Sequence, residues 1–294
     1  MTFHTIDDFY ISDDDIAQSP SAKDGVSGEV ERRLRRYGCS LIWQACHRLD
    51  LPSPLPMSVY ATASTLLQRF YCKSSFAEYD VRIMAPALFW MSCKLEEVID
   101  YDDSSKLRLR DVLVMFYDCI CRGPGGSDGE VYLLNVYSAF YVSFNDAVIK
   151  AERDMLRCFG FVMHVEHAAP FVLTLGAQLG MAAEKDVLQT AYEIASDSLR
   201  TTLCVRVKAE CVACAALFLA AERHGRVLPE DWWEGCGVGW GSMETCCRAM
   251  IEMYGETEKD EDNKGGYVQL SALFLTFDAS NGKDAIVVVR RESQ

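Results

Sequence analysis

The sequence lacks any uninterrupted apolar run long enough to cross a bilayer, although half of its 294 residues are hydrophobic. A spanning helix needs roughly 20 mostly apolar residues in succession, so we expect no membrane contact. The opening stretch MTFHTIDDFYISDDD also lacks the basic and then apolar order of a secretory signal, and the arginines of a transit peptide. These absences predict a soluble intracellular protein.

Basic residues are scarce relative to acidic ones, with 29 Lys and Arg against 43 Asp and Glu and a formal net charge of −14. An excess of acid opposes attraction to the phosphates of nucleic acids, so we expect no direct nucleic-acid partner. The densest basic cluster is ERRLRRY, residues 31–37. We interpret it as the solvated face of a first helix rather than as a recognition or import signal.

The chain also lacks a complete metal-binding pattern, although it contains 13 cysteines. That number is odd, and most of the cysteines lie within helical apolar patterns, which indicates reduced thiols. CVAC, residues 211–214, has the spacing of a zinc or redox pair, but no second pair follows it. HVEH, residues 164–167, offers two histidines without converging thiols. We therefore predict no metal and no cofactor.

Sequence signatures of catalysis are absent as well. GPGG, residues 123–126, lacks the Lys-Ser or Lys-Thr that a phosphate-binding loop requires. Neither a hydrolase nucleophile elbow nor a kinase motif is found. We expect a protein without a catalytic centre and without a small-molecule ligand.

Helical periodicity dominates the chain and predicts an all-α fold. Three breaks interrupt it: the prolines of LPSPLP at 51–56, the glycine-rich RGPGGSDGE at 122–130, and HVEHAAP at 164–170. The predicted domains are a flexible acidic tail at 1–24, a first unit at 25–165, a second unit at 166–255, and a linker with a C-terminal extension at 256–294. The extension has the composition of a short β-hairpin. The predicted helices, five in each unit, are 29–49, 57–72, 77–98, 107–121 and 141–159, then 170–180, 184–202, 206–223, 229–234 and 242–254.

The third helices of the two units resemble each other. Both are apolar on nearly every face, contain small residues and have acidic residues near their ends: VRIMAPALFWMSCKLEE at 81–97 and VKAECVACAALFLAAER at 207–223. A helix that is apolar all round is surrounded by others. A structural duplication is therefore predicted, with these two helices at the centres of its units.

One helix, VIKAERDMLRCFGF at 148–161, carries the carboxylate of Glu152 inside its apolar stripe. A buried carboxylate without a partner is costly, so Glu152 must find one. Gly160 provides a left-handed stop, and Phe161 is expected to fold back onto the last turn. The stripe consists of Val148, Ile149, Met155, Leu156 and Phe159, at helical spacing.

Several long stretches resemble the cyclins, and in particular the L-type cyclins of the transcription and splicing group. They are LLQRFYCKSSF at 66–76, MSCKLEEV at 91–98, VIKAERDMLRCFGFVMHVEH at 148–167 and DSLRTTLCVRVKAECVACAALFLAAE at 197–222. The resemblance covers residues 25–254. It implies two tandem five-helix cyclin boxes and a nuclear regulatory subunit that binds and activates a cyclin-dependent kinase, alone or with further subunits. The implied setting is RNA polymerase II transcription or pre-mRNA splicing.

The resemblance also implies a kinase-binding site. Lys94, which ends the third helix, and Glu152, in the fifth, match a lysine and a glutamate that meet at the kinase-facing surface of cyclins. Met91, Leu95, Leu156 and Phe161 are the accompanying apolar residues. The alternative interpretation is that Lys94 and Glu152 form an internal ion pair and that the four apolar residues are ordinary core.

Two other classes of protein remain open at this point. A general transcription factor of the TFIIB type also has two cyclin-like folds, but it predicts an N-terminal zinc ribbon and a basic surface, and the sequence shows neither. A non-catalytic helical scaffold is the third interpretation. The stretch RRYGCSLIWQACHRL at 35–49 does not match the substrate-docking motif of many cell-cycle cyclins, so docking of that kind is not expected.

Overall fold

The structure is a computed structural model that describes residues 10–49, 55–98, 107–123 and 132–262, and these residues contain helices and no strand. Short 3₁₀ turns lie at Ser198–Arg200, Leu203–Val205 and Glu234–Cys236. The α-helices are α1 (Asp13–Ala17), α2 (Pro20–Lys23), α3 (Gly28–Arg48), α4 (Leu55–Lys73), α5 (Val81–Leu95), α6 (Leu109–Arg122), α7 (Ala139–Cys158), α8 (Ala168–Gln178), α9 (Lys185–Asp197), α10 (Ala209–Arg223) and α11 (Trp240–Asp262).

The first unit is built around α5, which packs against α3, α4, α6 and α7. Its small residues Ala85 and Ala87 are fully buried and let the neighbouring helices approach. Side-chain caps fix where the helices begin: Ser27 accepts from the Val30 amide ahead of α3, and Asp80 accepts from the Arg82 amide ahead of α5. The predicted central position of this helix is confirmed.

The second unit is built in the same way around α10, which packs against α8, α9 and α11. Ala213, Ala215 and Ala216 are fully buried. With α5 and α10 at equivalent places, the prediction of an all-α fold of two similar units is confirmed.

Two features of the second unit differ from prediction. The helix predicted at 229–234 is wrong, because this stretch forms turns followed by the 3₁₀ turn at Glu234–Cys236, with Gly237 in the left-handed region (φ 67°). The last helix, predicted to end at 254, continues to Asp262. The run ETEKDED, residues 256–262, contains three Glu and one Lys, which favour helix, and no proline that would stop it.

The N-terminal boundary near residue 24 also needs correction. Residues 10–24 form α1, α2 and their connections, and they are held against both units. Ser21 Oγ accepts from the Phe76 amide at 3.0 Å, and the Ile11 amide donates to the Val205 carbonyl at 2.8 Å. Polar bonds of this kind leave no hydrophobic pattern in the sequence, which explains the miss. Residues 1–9, the Gly-rich loop at 124–131 and the C-terminal extension at 263–294 lie outside the described residues.

The basic cluster at 31–37 is only partly solvated, contrary to prediction. Glu31 and Arg35 are buried, and Arg35 Nη2 lies 2.7 Å from Glu31 Oε1. The remaining donors of Arg35 reach the carbonyls of Gln68 and Tyr71 on α4. The cluster therefore contains a polar connection between α3 and α4, in addition to a solvated face.

The two units meet where the 3₁₀ turns after α9 pack on α3 and α4. Gln68 Nε2 donates to the Leu199 carbonyl of the second unit at 3.1 Å. Arg69 Nη1 donates at 2.7 Å to the carbonyl of His164, in the segment that leads into the second unit. All 13 cysteines are free thiols in the structure. Among the described residues, no helix combines the length and the apolar character needed to span a membrane.

Candidate functional site

The ends of α5 and α7 bring Lys94 and Glu152 together across 58 residues of sequence. Lys94 Nζ donates to Glu152 Oε1 at 2.5 Å. The Lys94 side chain is 32% exposed and that of Glu152 is 17% exposed, so the pair lies at the surface rather than in the core. The carboxylate inside the apolar stripe thus has its partner, and both charged groups retain access to a further one.

The surroundings of Lys94 limit the freedom of its side chain. The ammonium nitrogen lies 5.3 Å from the ring centroid of Trp90, within cation–π range. Met91 is buried at 7% exposure, whereas Leu95, one residue beyond Lys94, is 42% exposed. Met91 therefore supports the site from beneath, and Leu95 forms part of its surface.

At the end of α7, a backbone hydrogen bond joins Leu156 and Phe161. The amides of Gly160 and Phe161 donate to the carbonyls of Arg157 and Leu156, the pattern of a Schellman motif. Both Gly160 (φ 56°) and Phe161 (φ 66°) are in the left-handed region, which is uncommon for phenylalanine. The expectation that Phe161 folds back onto the last turn is wrong, because its side chain is 71% exposed. The turn projects this ring outward.

Two exposed residues of α7 were not recognised as part of this surface. Ile149, a member of the predicted apolar stripe, is 47% exposed, and Val142 is 54% exposed. Val142, Ile149 and the half-buried Leu156 are spaced by seven residues and so share one face of the helix. Glu152 lies between Ile149 and Leu156 on that face. This seven-residue spacing was the sequence signal that could have identified Val142 and Ile149 as part of the surface. We name the site, comprising Lys94, Leu95, Val142, Ile149, Glu152, Leu156 and Phe161, the α5–α7 surface.

A hydrogen-bond network ties the end of α5 to the second unit. The Thr62 hydroxyl donates to Glu96 Oε1 at 2.6 Å and lies 2.9 Å from His167 Nε2. Because the single hydroxyl proton goes to Glu96, the imidazole must donate from Nε2. His167 immediately precedes α8. The segment that carries Lys94 and Leu95 is thereby held in a fixed relation to the second unit.

Burial lowers the pKa of His167 from 6.5 to about 4. Between these two pH values the imidazole is protonated in the unfolded chain but neutral in the folded chain. The stabilisation from this group is therefore fully present above pH 6.5 and is lost as the pH falls towards 4. We expect its contribution to the free energy of unfolding to be on the order of 3 kcal/mol. In urea denaturation across this range, His167→Gln should show a shallower loss of stability than the original chain. Parallel curves would show that His167 does not titrate in this way.

The motifs set aside earlier do not form a second site. In the part of the chain that the structure describes, no group of three His, Cys, Asp or Glu side chains is arranged to hold a metal ion. Cys211 Sγ of CVAC lies 3.5 Å from Cys246 Sγ on α11, in the buried interior of the second unit. His167 of HVEH belongs to the network with Thr62.

Comparison with known proteins defines the class. The sequence model for the C-terminal domain of Cyclin-T2-like proteins matches residues 169–228. Over 83% of its length, this chain superposes with a TM-score of 0.63 on 72% of a chain in the yeast RNA Pol II CTD kinase CTDK-1 complex, at 14% sequence identity. It also superposes over 76% of its length on 86% of a viral cyclin from herpesvirus saimiri, with a TM-score of 0.53 and 13% identity. The fold is the cyclin fold, present as two tandem boxes.

Sequence relatives narrow the class. Cyclin-L1-1 of Oryza sativa subsp. japonica is 37% identical over 256 residues, covering 86% of this chain and 56% of that protein. Human Cyclin-L2 is 29% identical over 267 residues, covering 90% of this chain and 48% of that protein. The chain is therefore similar in sequence to the L-type members of the cyclin family and has the cyclin fold. It spans about half the length of the curated relatives it matches.

Proposed function

We propose that this chain is the activating regulatory subunit of a cyclin-dependent kinase and that it contacts the kinase through the α5–α7 surface. The observation that carries the proposal is the Lys94–Glu152 pair, partly exposed and bordered by the exposed side chains of Leu95, Ile149 and Phe161. Exposed apolar side chains around fixed polar groups are typical of protein interfaces. An internal ion pair within ordinary core would not leave these side chains in water.

The mechanism is packing rather than chemistry on the cyclin itself. An active kinase needs a glutamate on its mobile helix to reach the lysine that anchors ATP, and that helix must be held inward for the pair to form. The apolar side chains of the α5–α7 surface supply a face against which it packs. Lys94 and Glu152 retain free donor and acceptor capacity, which sets the register of docking. Because the cyclin binds the active arrangement better, it shifts the kinase population towards it.

The cellular setting follows from the relatives. One solved neighbour belongs to an RNA Pol II CTD kinase complex and another to yeast TFIIK, and the sequence relatives are L-type cyclins. We infer a nuclear role in RNA polymerase II transcription, pre-mRNA splicing or both, as a heterodimer with the kinase to which further subunits can be added. The TFIIB-type alternative is disfavoured by the similarity to L-type cyclins over most of the chain. The similarity to L-type cyclins favours a kinase partner over a plain scaffold.

Affinity capture of the tagged chain from its own cells tests the proposal. We expect a cyclin-dependent kinase at one-to-one stoichiometry by mass spectrometry, and kinase activity in the eluate that the free kinase lacks. Capture of polymerase and promoter factors without a kinase would favour the TFIIB-type alternative. Capture of neither would leave a helical scaffold.

A further inference from the structure

The second box carries an aromatic cluster at the face formed by the loop before α11. The ring centroid of Trp233 lies 4.9 Å from that of Trp240 and 6.2 Å from that of Trp232. The rings of Trp240 and Phe218 meet edge to face, with their centroids 5.9 Å apart. The cluster is not enclosed by the core, since Trp240 is 46% exposed and Trp232 and Trp233 are partly exposed. Indole faces therefore reach solvent.

Carboxylates border this cluster and are not neutralised. Glu230, Asp231 and Glu234 are all exposed, and within the described residues none of them has an ion-pair partner. The nearest basic residue of the preceding loop, Arg226, is already paired with Glu184 at 3.1 Å. The surface thus combines open indole rings with unpaired negative charge.

Backbone geometry holds this arrangement in place. Asp231 adopts a left-handed conformation (φ 53°), and its carbonyl accepts from the Glu234 amide at 3.0 Å. The Val238 amide donates to the Trp233 carbonyl, which closes the loop over Gly237. Because these bonds pre-organise the tryptophans and carboxylates, a ligand would not need to order them.

We propose that this surface, comprising Trp232, Trp233, Trp240, Glu230, Asp231 and Glu234, binds an arginine-rich extended peptide segment of a partner protein. Charge complementarity selects the occupant. A guanidinium group stacks on an indole face and also pairs with carboxylates, and it loses its hydration more readily than an ammonium group. Phosphates of nucleic acids and anionic lipid headgroups would instead be repelled by the carboxylates. This surface is separate from the α5–α7 surface, so the proposal does not depend on kinase binding.

A labelled peptide in which arginine alternates with glycine tests the proposal against the 294-residue chain by fluorescence anisotropy. We expect saturable binding at about 50 mM salt that weakens as the salt concentration rises. The matched lysine peptide should bind several-fold more weakly, and the matched glutamate peptide should not bind. Equal affinity for the arginine and lysine peptides, or no saturation with arginine, would overturn the proposal.

Variants locate the binding surface. Trp240→Ala and the pair Asp231→Asn with Glu234→Gln should each lower the affinity by about tenfold; asparagine tolerates the left-handed conformation at residue 231. The control, Glu78→Gln with Glu252→Gln, removes the same charge from exposed positions elsewhere and should leave binding nearly unchanged. If the control loses as much affinity as the loop variant, the peptide senses only net charge and the proposed surface is wrong. Circular dichroism of each variant verifies that the fold is retained.

Discussion

Replacing Lys94 and Glu152 together by alanine is expected to weaken the kinase complex by about 30-fold or more, the range of an interface hot spot. The reason is that both side chains keep hydrogen-bonding capacity which their mutual bond does not use, and a bound kinase can fill it. The fold should hardly change, because partly exposed ion pairs contribute only about 1 kcal/mol or less to stability. Affinity is measured by titrating the captured kinase with each purified variant, and stability by thermal unfolding.

A charge swap separates the two interpretations of this pair. In Lys94→Glu with Glu152→Lys, the internal ion pair is retained with its polarity reversed. If the pair acts only within the cyclin, the swap should restore kinase binding relative to the double alanine variant. If the kinase contacts both groups directly, the swap should bind no better than the double alanine variant, because each charge now meets the wrong partner.

The outcomes of this experiment are distinct. Binding of the kinase at full strength by a folded double alanine variant would exclude the α5–α7 surface as the contact. Restoration by the swap would assign the pair to internal structure and leave Leu95, Ile149 and Phe161 as the elements to test. The same measurements on the control variant Glu252→Gln, an exposed position in the second box, show how much a remote change of charge alters the affinity for the kinase.

Much of the fold was predictable because it depends on patterns that are local in sequence. Residues 81–95 and 209–223 are apolar on nearly every face, and no other environment than the centre of a helical unit accommodates such a helix. Proline and glycine determined most of the breaks. The loop before α11 was missed because WWEG has the apolar content of a helix, while its course is set by the glycines that follow and by the left-handed Asp231.

The site was less predictable than the fold. The encounter of Lys94 with Glu152 depends on the packing of α5 on α7, and only the resemblance to cyclins indicated it. Ile149 was placed in the apolar stripe without a side being assigned to it, because such a stripe has two edges and periodicity alone does not tell which edge meets a neighbouring helix. The orientation of Phe161 was missed for a different reason. The end of α7 was recognised from Gly160, but Phe161 itself also adopts the left-handed conformation, and its side chain is exposed.

Burial of Glu31 and Arg35 was missed because charged residues four apart on a helix are usually a solvated pair. Their surroundings differ from that rule: the Arg35 side chain is 4% exposed and that of Glu31 is 8% exposed. Besides Glu31, Arg35 donates to the side chain and carbonyl of Gln68 and to the Tyr71 carbonyl. Glu31 Oε2 in turn accepts from Ser19 Oγ at 2.6 Å. One buried guanidinium thus connects α3, α4 and, through Glu31, the N-terminal segment.

Arg35→Met is therefore expected to lower the free energy of unfolding by about 3–5 kcal/mol, the cost of removing one partner from a buried ion pair. Methionine fills a similar volume, so the loss comes mainly from the Glu31 carboxylate, which keeps only Ser19 as a partner, and from the two lost bonds to carbonyls of α4. Urea denaturation at neutral pH measures the change.

Two further variants show whether the uncompensated charge is the cause. Arg32→Met removes an exposed arginine that lies one helical turn before Arg35. It should shift the urea midpoint very little, since surface substitutions usually cost less than about 0.5 kcal/mol. Glu31→Gln combined with Arg35→Met removes the buried charge as well and should recover part of the lost stability, because a neutral amide is less costly to bury than a carboxylate. If Arg35→Met behaves like Arg32→Met, water reaches the pair in solution and the network does not hold α3 to α4. If the double variant is no more stable than Arg35→Met alone, the cost lies in the lost bonds from Arg35 to Gln68 and Tyr71 rather than in the charge of Glu31.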